Sequence, residues 1–137
     1  MKVTVEITIP APIELIWQAW TTPEDITQWN AASDDWHTTR ASVDLRVGGT
    51  FSSRMEAKNG SMGFDFEGTY TKIVQHQLIE GTFGERTLQV EFLAVPGGIT
   101  VRETFEAEQT FSVEQQRTGW QSILNSFARY VLSKHRS

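Results

Sequence analysis

The chain of 137 residues is 39% hydrophobic and 21% charged, a balance typical of one globular domain spanning residues 1–137 and not of a disordered chain. A net charge of −5 argues against a nucleic-acid partner, because binding to phosphates needs a basic surface. The sequence has no cysteine, which excludes disulfides and thiolate metal sites and fits a cytoplasmic location. It also lacks a run of about 18 apolar residues, so no membrane span is predicted.

The N-terminal part predicts one strand followed by two short helices. Apolar and polar residues alternate over residues 3–9, as in a half-buried strand. Pro12 suits the first turn of a helix that carries Trp17 on its apolar face. A second proline, Pro23, begins another short helix, which ends near Trp29. The next stretch, residues 30–41, has no periodicity and predicts a loop.

Strands are expected to resume at residues 43–47, and a turn at Gly48-Gly49 follows. Asn59-Gly60 is a strong signal for a hairpin turn, and it sets the register of the two strands beside it. The predicted cross-strand pairs are Met55–Phe64, Ser53–Phe66 and Arg54–Asp65. The first two pairs are apolar or small and would lie on one face, whereas the third pairs opposite charges on the other face.

Two further turns, Gly84-Glu85 and Pro96-Gly97, predict the next hairpins. The expected pairs are Ile79–Val90, Gly81–Leu88, Phe92–Val101, Leu88–Phe105 and Glu91–Arg102. Each register independently places apolar residues opposite apolar residues and charges opposite their counter-charges. Because a one-residue slip would destroy this sorting, the sequence predicts an antiparallel meander with Arg54, Asp65, Glu91 and Arg102 on its outer face.

A long helix is predicted over residues 112–133. Ser112 and Gln115 have the spacing of a capping box, and apolar residues then follow helical periodicity from Trp120 onward. Gly119 inside this helix should cost about 1 kcal/mol relative to alanine. Two explanations are open: close packing against a strand, or room left for a ligand.

Four segments together resemble a known family: IPAPIELIWQAWTTPEDITQW, DLRVGGTF, FDFEGTYTKIV and QRTGWQSIL. They resemble the bacterial homologues of the activator of heat-shock protein 90 ATPase, in the START-like SRPBCC superfamily. The resemblance covers essentially the whole chain, and the segments follow the family's order.

This resemblance implies an α+β helix-grip fold: a curved seven-stranded antiparallel sheet around a long C-terminal helix, with two short helices after the first strand. It also implies a hydrophobic cavity between the sheet and the long helix. Members of the superfamily bind lipids, sterols, polyketides and plant hormones, and some catalyse cyclisation. The family's name implies a chaperone partner.

The segment ASDDWH, residues 32–37, is the first candidate for chemistry. Two acids and a histidine could act as acid and base or form the rim of a pocket, with Trp36 and His37 contacting a ligand. The alternative is that Asp34 and Asp35 simply cap and solvate a loop. No metal site and no cofactor is predicted.

Glu103 is the second candidate, because the predicted register places it on the apolar inner face of its strand. A desolvated carboxyl group has a raised pKa unless it finds a partner. Glu103 is therefore either an internal acid with hydrogen-bond partners, or a ligand anchor or general acid or base.

The leading functional hypothesis is binding of a small apolar or aromatic ligand, such as a lipid, polyketide or flavonoid-like molecule. The predicted ligand-binding residues are Trp36, His37, Met55, Phe64, Phe66, Tyr70, Phe92, Glu103, Trp120 and Leu124. A second hypothesis is a cavity enzyme, a cyclase, hydrolase or dehydratase, that uses Glu103 with Tyr70 or His37. A third is a co-regulator of a chaperone ATPase. The oligomeric state is left open.

Overall fold

Antiparallel strands make up most of the computed structural model, which describes residues 1–136 and contains seven strands and three helices within that range. The strands are β1 (Lys2–Ile9), β2 (Trp36–Val43), β3 (Thr50–Ala57), β4 (Gly63–Val74), β5 (Leu78–Phe83), β6 (Arg86–Val95) and β7 (Gly98–Glu106). The helices are α1 (Ile13–Thr21), α2 (Pro23–Trp29) and α3 (Val113–His135).

The strands form one sheet in the order β1-β7-β6-β5-β4-β3-β2, and every neighbouring pair is antiparallel. The sheet curls around α3, which covers its inner face, and α1 and α2 pack at one end of the same face. The predicted α+β helix-grip fold is confirmed. The hydrophobic core therefore lies between a single sheet and the helices on one side of it.

The three predicted hairpin registers are confirmed. Met55 pairs with Phe64 across β3 and β4, and Ile79 pairs with Val90 across β5 and β6. The four charged residues expected on the outer face, Arg54, Asp65, Glu91 and Arg102, are all at least partly exposed. Alternation therefore sorts this sheet into an apolar inner face and a polar outer face.

The prediction for residues 30–47 is wrong over most of its length. The strand β2 covers Trp36–Val43 and so begins inside the stretch 30–41 that was predicted as a loop, whereas the residues after Val43 form a turn instead of a strand. A bulge between Thr38 and Arg40 explains the error, because the extra residue breaks the period of two that identifies a strand. In the turn, Gly48 has φ of +86°, a conformation that glycine adopts without strain.

The helix α3 begins as predicted, since Ser112 and Gln115 form a capping box. Two of its side chains then bind the exposed edge of the sheet: Arg117 donates to the carbonyl oxygen of Thr4 at 3.2 Å, and Gln121 to that of Glu6 at 3.1 Å. These bonds satisfy carbonyl groups on β1 that have no further strand beside them. Within residues 1–136, none of the helices is both long enough and apolar enough to cross a membrane.

At the other end, α2 is fixed to α3. The hydroxyl of Ser126 donates to the carbonyl oxygen of Trp29 at 2.7 Å, and the hydroxyl of Tyr130 donates to the buried carboxylate of Asp25. Trp29 also stacks on Trp20 with ring centroids 5.0 Å apart. Both ends of the helical layer are therefore held in place by specific bonds.

Gly119 gives the first testable prediction, because neither explanation offered for it holds. A Cβ atom built at Gly119 meets nothing within 4 Å, and the residue does not line the cavity described below. Gly119→Ala should therefore raise the free energy of unfolding by about 1 kcal/mol, through helix propensity alone. Urea denaturation measures this difference.

Gly81→Ala is the matched control. Its Cβ would lie 2.8 Å from the carbonyl oxygen of Thr69, so this substitution should destabilise the fold. A loss of stability in Gly119→Ala would contradict the account of α3.

Candidate functional site

A cavity of about 280 Å³ lies between the inner face of the sheet and α3. Trp20, Ile26 and Trp29 wall it at the end formed by α1 and α2, while Trp120 and Ile123 cover it from α3. The remaining wall comes from β2 to β7, mostly from inward side chains, and from Asn30. It is mostly apolar, with a few polar groups, which is the usual composition of a small-molecule pocket.

Six of the predicted ligand-binding residues are part of this wall: Met55, Phe64, Phe66, Tyr70, Glu103 and Trp120. Phe64 is 48% exposed, because it sits where the cavity meets the surface. Hairpin registers and strand alternation placed the five sheet residues on the inner face in the prediction, and helical spacing placed Trp120 opposite them; these positions agree with the structure.

Phe92 and Leu124 require a correction, because neither lines the cavity. Phe92 packs under α1, with its ring edge-on to Trp17 at 5.2 Å. Leu124 is fully buried in the core, whereas its neighbour Ile123 faces the cavity. Alternation and helical period assign a residue to a face, but they do not say whether that part of the face is packed or open.

Trp36 and His37 also lie outside the cavity wall. Trp36 is on the inner face of β2, and its ring centroid lies 5.9 Å from that of Phe64 at the mouth. His37 pairs with Glu56 on the outer face, because the segment is a strand and not a loop. In the part of the chain described, residues 1–136, no three His, Asp or Glu side chains converge as metal ligands would.

Glu103 is the polar residue at the centre of the inner face. Its neighbours across the strands are Val5 and Val90, and its side chain is 5% exposed while lining the cavity. Among residues 1–136 no side chain or backbone group forms a hydrogen bond or ion pair with its carboxyl group. Burial raises the pKa of Glu103 to about 8, so the group carries a proton at neutral pH.

Tyr70 is a second polar group in the wall, and it remains a neutral phenol. Burial, and to a lesser extent the charge of Asp44, raises the pKa of Tyr70 to about 12. Its ring packs against Phe51 with centroids 4.9 Å apart, and the buried Ser53 lies nearby in the wall. The cavity thus offers neutral hydrogen-bonding groups on an apolar surface.

Arg86 is the basic residue of the wall, and the sequence analysis missed it. Its guanidinium lies over the ring of Phe83 at 4.3 Å from the centroid, and its Nη1 donates to the carbonyl oxygen of Glu106 at 3.1 Å. The signal was available: the turn at Gly84-Glu85 starts β6 at Arg86, so alternation places it on the same inner face as Leu88.

The cavity opens beside Arg86. The pairing of β4 with β5 begins only at Thr69–Thr82, so the first half of β4 and the β5–β6 turn border a gap. We call this gap the outer cleft, which is lined by residues 50–52 of β3, by residues 64–69 of β4, by Phe83–Arg86 and by Glu108. Five residues belong to both the cavity and the outer cleft and therefore mark the mouth: Phe51, Ser52, Phe64, Phe66 and Arg86.

Comparison with known proteins agrees with this geometry. The family model described as "Activator of Hsp90 ATPase homolog 1-like protein" matches residues 10–132. The chain belongs to this family. The family is of the START/SRPBCC type, as the resemblance implied. No curated protein matches the sequence.

Solved structures give the same fold. The solution structure of the AHSA1-like protein from Aeromonas hydrophila is 47% identical, with 98% of this chain and 94% of that chain covered and a TM-score of 0.92. A protein from Cytophaga hutchinsonii is 42% identical over 97% of this chain and 93% of its own, with a TM-score of 0.83. A protein from Nitrosomonas europaea, at 17% identity and a TM-score of 0.82 over 100% and 97%, shares the fold alone.

The buried acid gives the second prediction. The unfolded chain ionises Glu103 above about pH 4.3, whereas the folded chain keeps the proton up to about pH 8. The raised pKa means that stability falls as pH rises through this range, by up to about 1.4 kcal/mol per pH unit, and levels off above it. Glu103→Gln should remove this fall, as measured by urea denaturation at a series of pH values.

Glu91→Gln makes the same chemical change on the outer face and leaves Glu103 in place, so its stability should still fall. If Glu103→Gln kept the pH dependence of the wild type, Glu103 would not be the desolvated acid described.

Proposed function

We propose that this protein binds a small apolar or aromatic molecule, of the lipid, polyketide or flavonoid-like kind, in the cavity between the sheet and α3. The observation that carries the proposal is the cavity itself. Protein interiors are normally close-packed, yet about 280 Å³ remains between two layers whose facing side chains are large. The volume is near the lower end of the range for ligand pockets, which favours a small ligand.

The composition of the wall supports an apolar body for the ligand. Phe51, Phe66 and Trp120 present aromatic surface to the cavity, and Leu88 and Val90 present aliphatic surface. Burying apolar ligand surface here gains roughly 25 cal/mol per Å². Ring faces and edges also favour contact with an aromatic ligand.

Glu103 supports a specific orientation. A protonated carboxyl group has one hydroxyl donor and a carbonyl acceptor, and burial makes each costly to leave without a partner. A ligand hydroxyl or amide that reaches Glu103 would satisfy both groups, whereas a ligand carbonyl would satisfy the hydroxyl donor alone. We infer that Glu103 is the polar anchor of the ligand's inner end.

A ligand screen by NMR tests this function. Backbone amide shifts of the ¹⁵N-labelled protein are recorded with a fatty acid, a flavonoid and an aromatic polyketide. At least one class should shift residues of the cavity wall, such as Gly81 and Ser53. Ser53→Leu, which fills the cavity, should weaken that binding at least about tenfold, since it removes the space that the ligand needs.

Ser33→Leu is the matched control, because Ser33 is exposed and does not line the cavity, so binding should be retained. If none of the three classes changed the amide shifts of the cavity wall, or if Ser53→Leu bound the ligand as tightly as the wild type, the proposal would be contradicted.

A second candidate is a cavity enzyme: a cyclase, hydrolase or dehydratase. Glu103 favours it, because a carboxyl group with a pKa near the working pH suits general acid–base chemistry, and Tyr70 is a neutral donor in the same wall. His37 cannot take part in this mechanism, because it lies on the outer face of the sheet, away from the cavity.

The enzyme hypothesis predicts a separation of binding from turnover. With a ligand found in the screen, Glu103→Gln should retain affinity within a few-fold and lose product formation by about two orders of magnitude or more, as followed by mass spectrometry. The absence of product with the wild type, despite saturation, would favour a pure binding protein.

The family description also names the ATPase of Hsp90. Membership of this family therefore leads us to predict a chaperone partner as well. A pull-down with the chaperone tests this prediction directly.

A further inference from the structure

We propose that Arg86 binds an oxyanion at the outer end of the ligand, so that the cavity selects amphiphiles with a carboxylate at the mouth, an apolar body, and a hydrogen-bonding group at the inner end. The inference rests on the proposed function, ligand binding in the cavity, and specifies the chemical class of the ligand. It begins from the position of Arg86 at the junction between the cavity and the outer cleft.

The orientation of Arg86 is fixed from two sides. The ring of Phe83 lies under the guanidinium, and the carbonyl oxygen of Glu106 accepts from its Nη1. Within residues 1–136 this is the only hydrogen bond that the guanidinium makes, out of five N–H donors. A planar group that is held in place with several donors left over suits bidentate binding of a carboxylate.

The partner that Arg86 has at present is weakly held. Its Nη2 lies 3.6 Å from a carboxylate oxygen of Glu108, which is longer than a hydrogen bond, and both side chains are about a third exposed. Ion pairs of this kind contribute about 0.2 to 1 kcal/mol. A ligand carboxylate that reaches the guanidinium can therefore take the place of Glu108.

The second polar group sets the ligand's length. Glu103 is opposite Val90, which is four residues along β6 from Arg86, or about 13 Å at roughly 3.3 Å per residue. The apolar side chain of Leu88 lies between them on the same face. The wall thus presents a cation at the mouth, an apolar stretch, and a protonated acid at the inner end.

The charges around the mouth refine the expectation. Asp65, Glu67 and Glu85 line the outer cleft together with Glu108, so the surface near Arg86 carries several negative charges. Asp65 is partly neutralised by Arg54 at 3.6 Å. An anionic ligand must compete with Glu108 in particular, and removing that carboxylate should strengthen its binding.

The test compares two probes of equal chain length, 10-hydroxydecanoic acid and 1,10-decanediol, at pH 7. Both offer the same hydroxyl to Glu103, so they differ only in the group that reaches Arg86. Dissociation constants come from NMR titration of the full chain, and the readout is the preference for the acid over the alcohol. The wild type should prefer the acid about tenfold, because hydrogen bonds to a charged group contribute about 1.5 kcal/mol or more. Arg86→Met should abolish the preference, and Arg86→Lys, which keeps the charge but loses the planar fork, should reduce it.

Glu108→Gln supplies an independent arm that leaves Arg86 intact. It should raise the preference roughly threefold, since a weak competing ion pair is removed. Glu14→Gln removes the same charge at an exposed position outside the cavity and the outer cleft, and should leave the preference near that of the wild type.

The outcomes separate the two proposals. If both probes shift residues of the cavity wall with equal affinity, or if Glu108→Gln leaves the preference unchanged, the role of Arg86 is overturned while ligand binding in the cavity stands. If neither probe binds, both proposals fail for amphiphiles. Tighter binding of 10-aminodecan-1-ol than of 10-hydroxydecanoic acid would also overturn the assignment of an oxyanion to Arg86.

Discussion

Aromatic side chains support α3 on both sides of the cavity, on one side against the sheet and on the other against α1 and α2. Trp120 stacks on Phe105 of β7 with centroids 3.9 Å apart and planes 9° from parallel. Two turns further along the helix, about 10 Å away, Phe127 packs edge-on against Trp20 and Trp29. Aromatic rings are rigid and cannot be compressed, so α3 rests on these two contacts. The space between them remains open below Ile123. The binding hypothesis depends on this spacing.

Hydrogen bonds fix the position of α3 relative to the sheet and to α2. Arg117 and Gln121 tie α3 to the edge of β1, and Ser126 and Tyr130 tie it to α2. Within this frame, Glu103 is a cost to the fold, because a desolvated carboxyl group without a partner is destabilising. A ligand that bonds to Glu103 would offset the cost, and so the feature that weakens the fold is also the feature that orients the ligand.

Much of the fold was predictable because it depends on local chemistry. The turn residues at 59–60, 84–85 and 96–97 and the alternation beside them fixed three registers, and Glu103 followed from the last of these. The strand β2 was missed since its bulge removes the period of two on which prediction relies. The register of the hairpin at residues 84–85 could also have identified Arg86, because it places Arg86 on the same inner face as Leu88.

Depth within the core could not be predicted in the same way. Phe92 and Glu103 lie on the same sheet face, yet only Glu103 borders open space, because α1 fills the region above Phe92. Whether a face is packed or open depends on where helices from distant parts of the chain come to rest. The chemical class of the ligand is likewise a property of the assembled wall, where residues 86 and 103 come from different strands.

The most direct test of ligand binding in the cavity is a set of intermolecular NOEs between bound decanoic acid and the methyl groups of the protein. The account predicts contacts to Met55, Leu88 and Ile123, which line the cavity, and none to Leu124, which is buried beside it. Contacts confined to exposed residues such as Met62 and Val47 would show that the ligand binds on the surface, and would contradict the account.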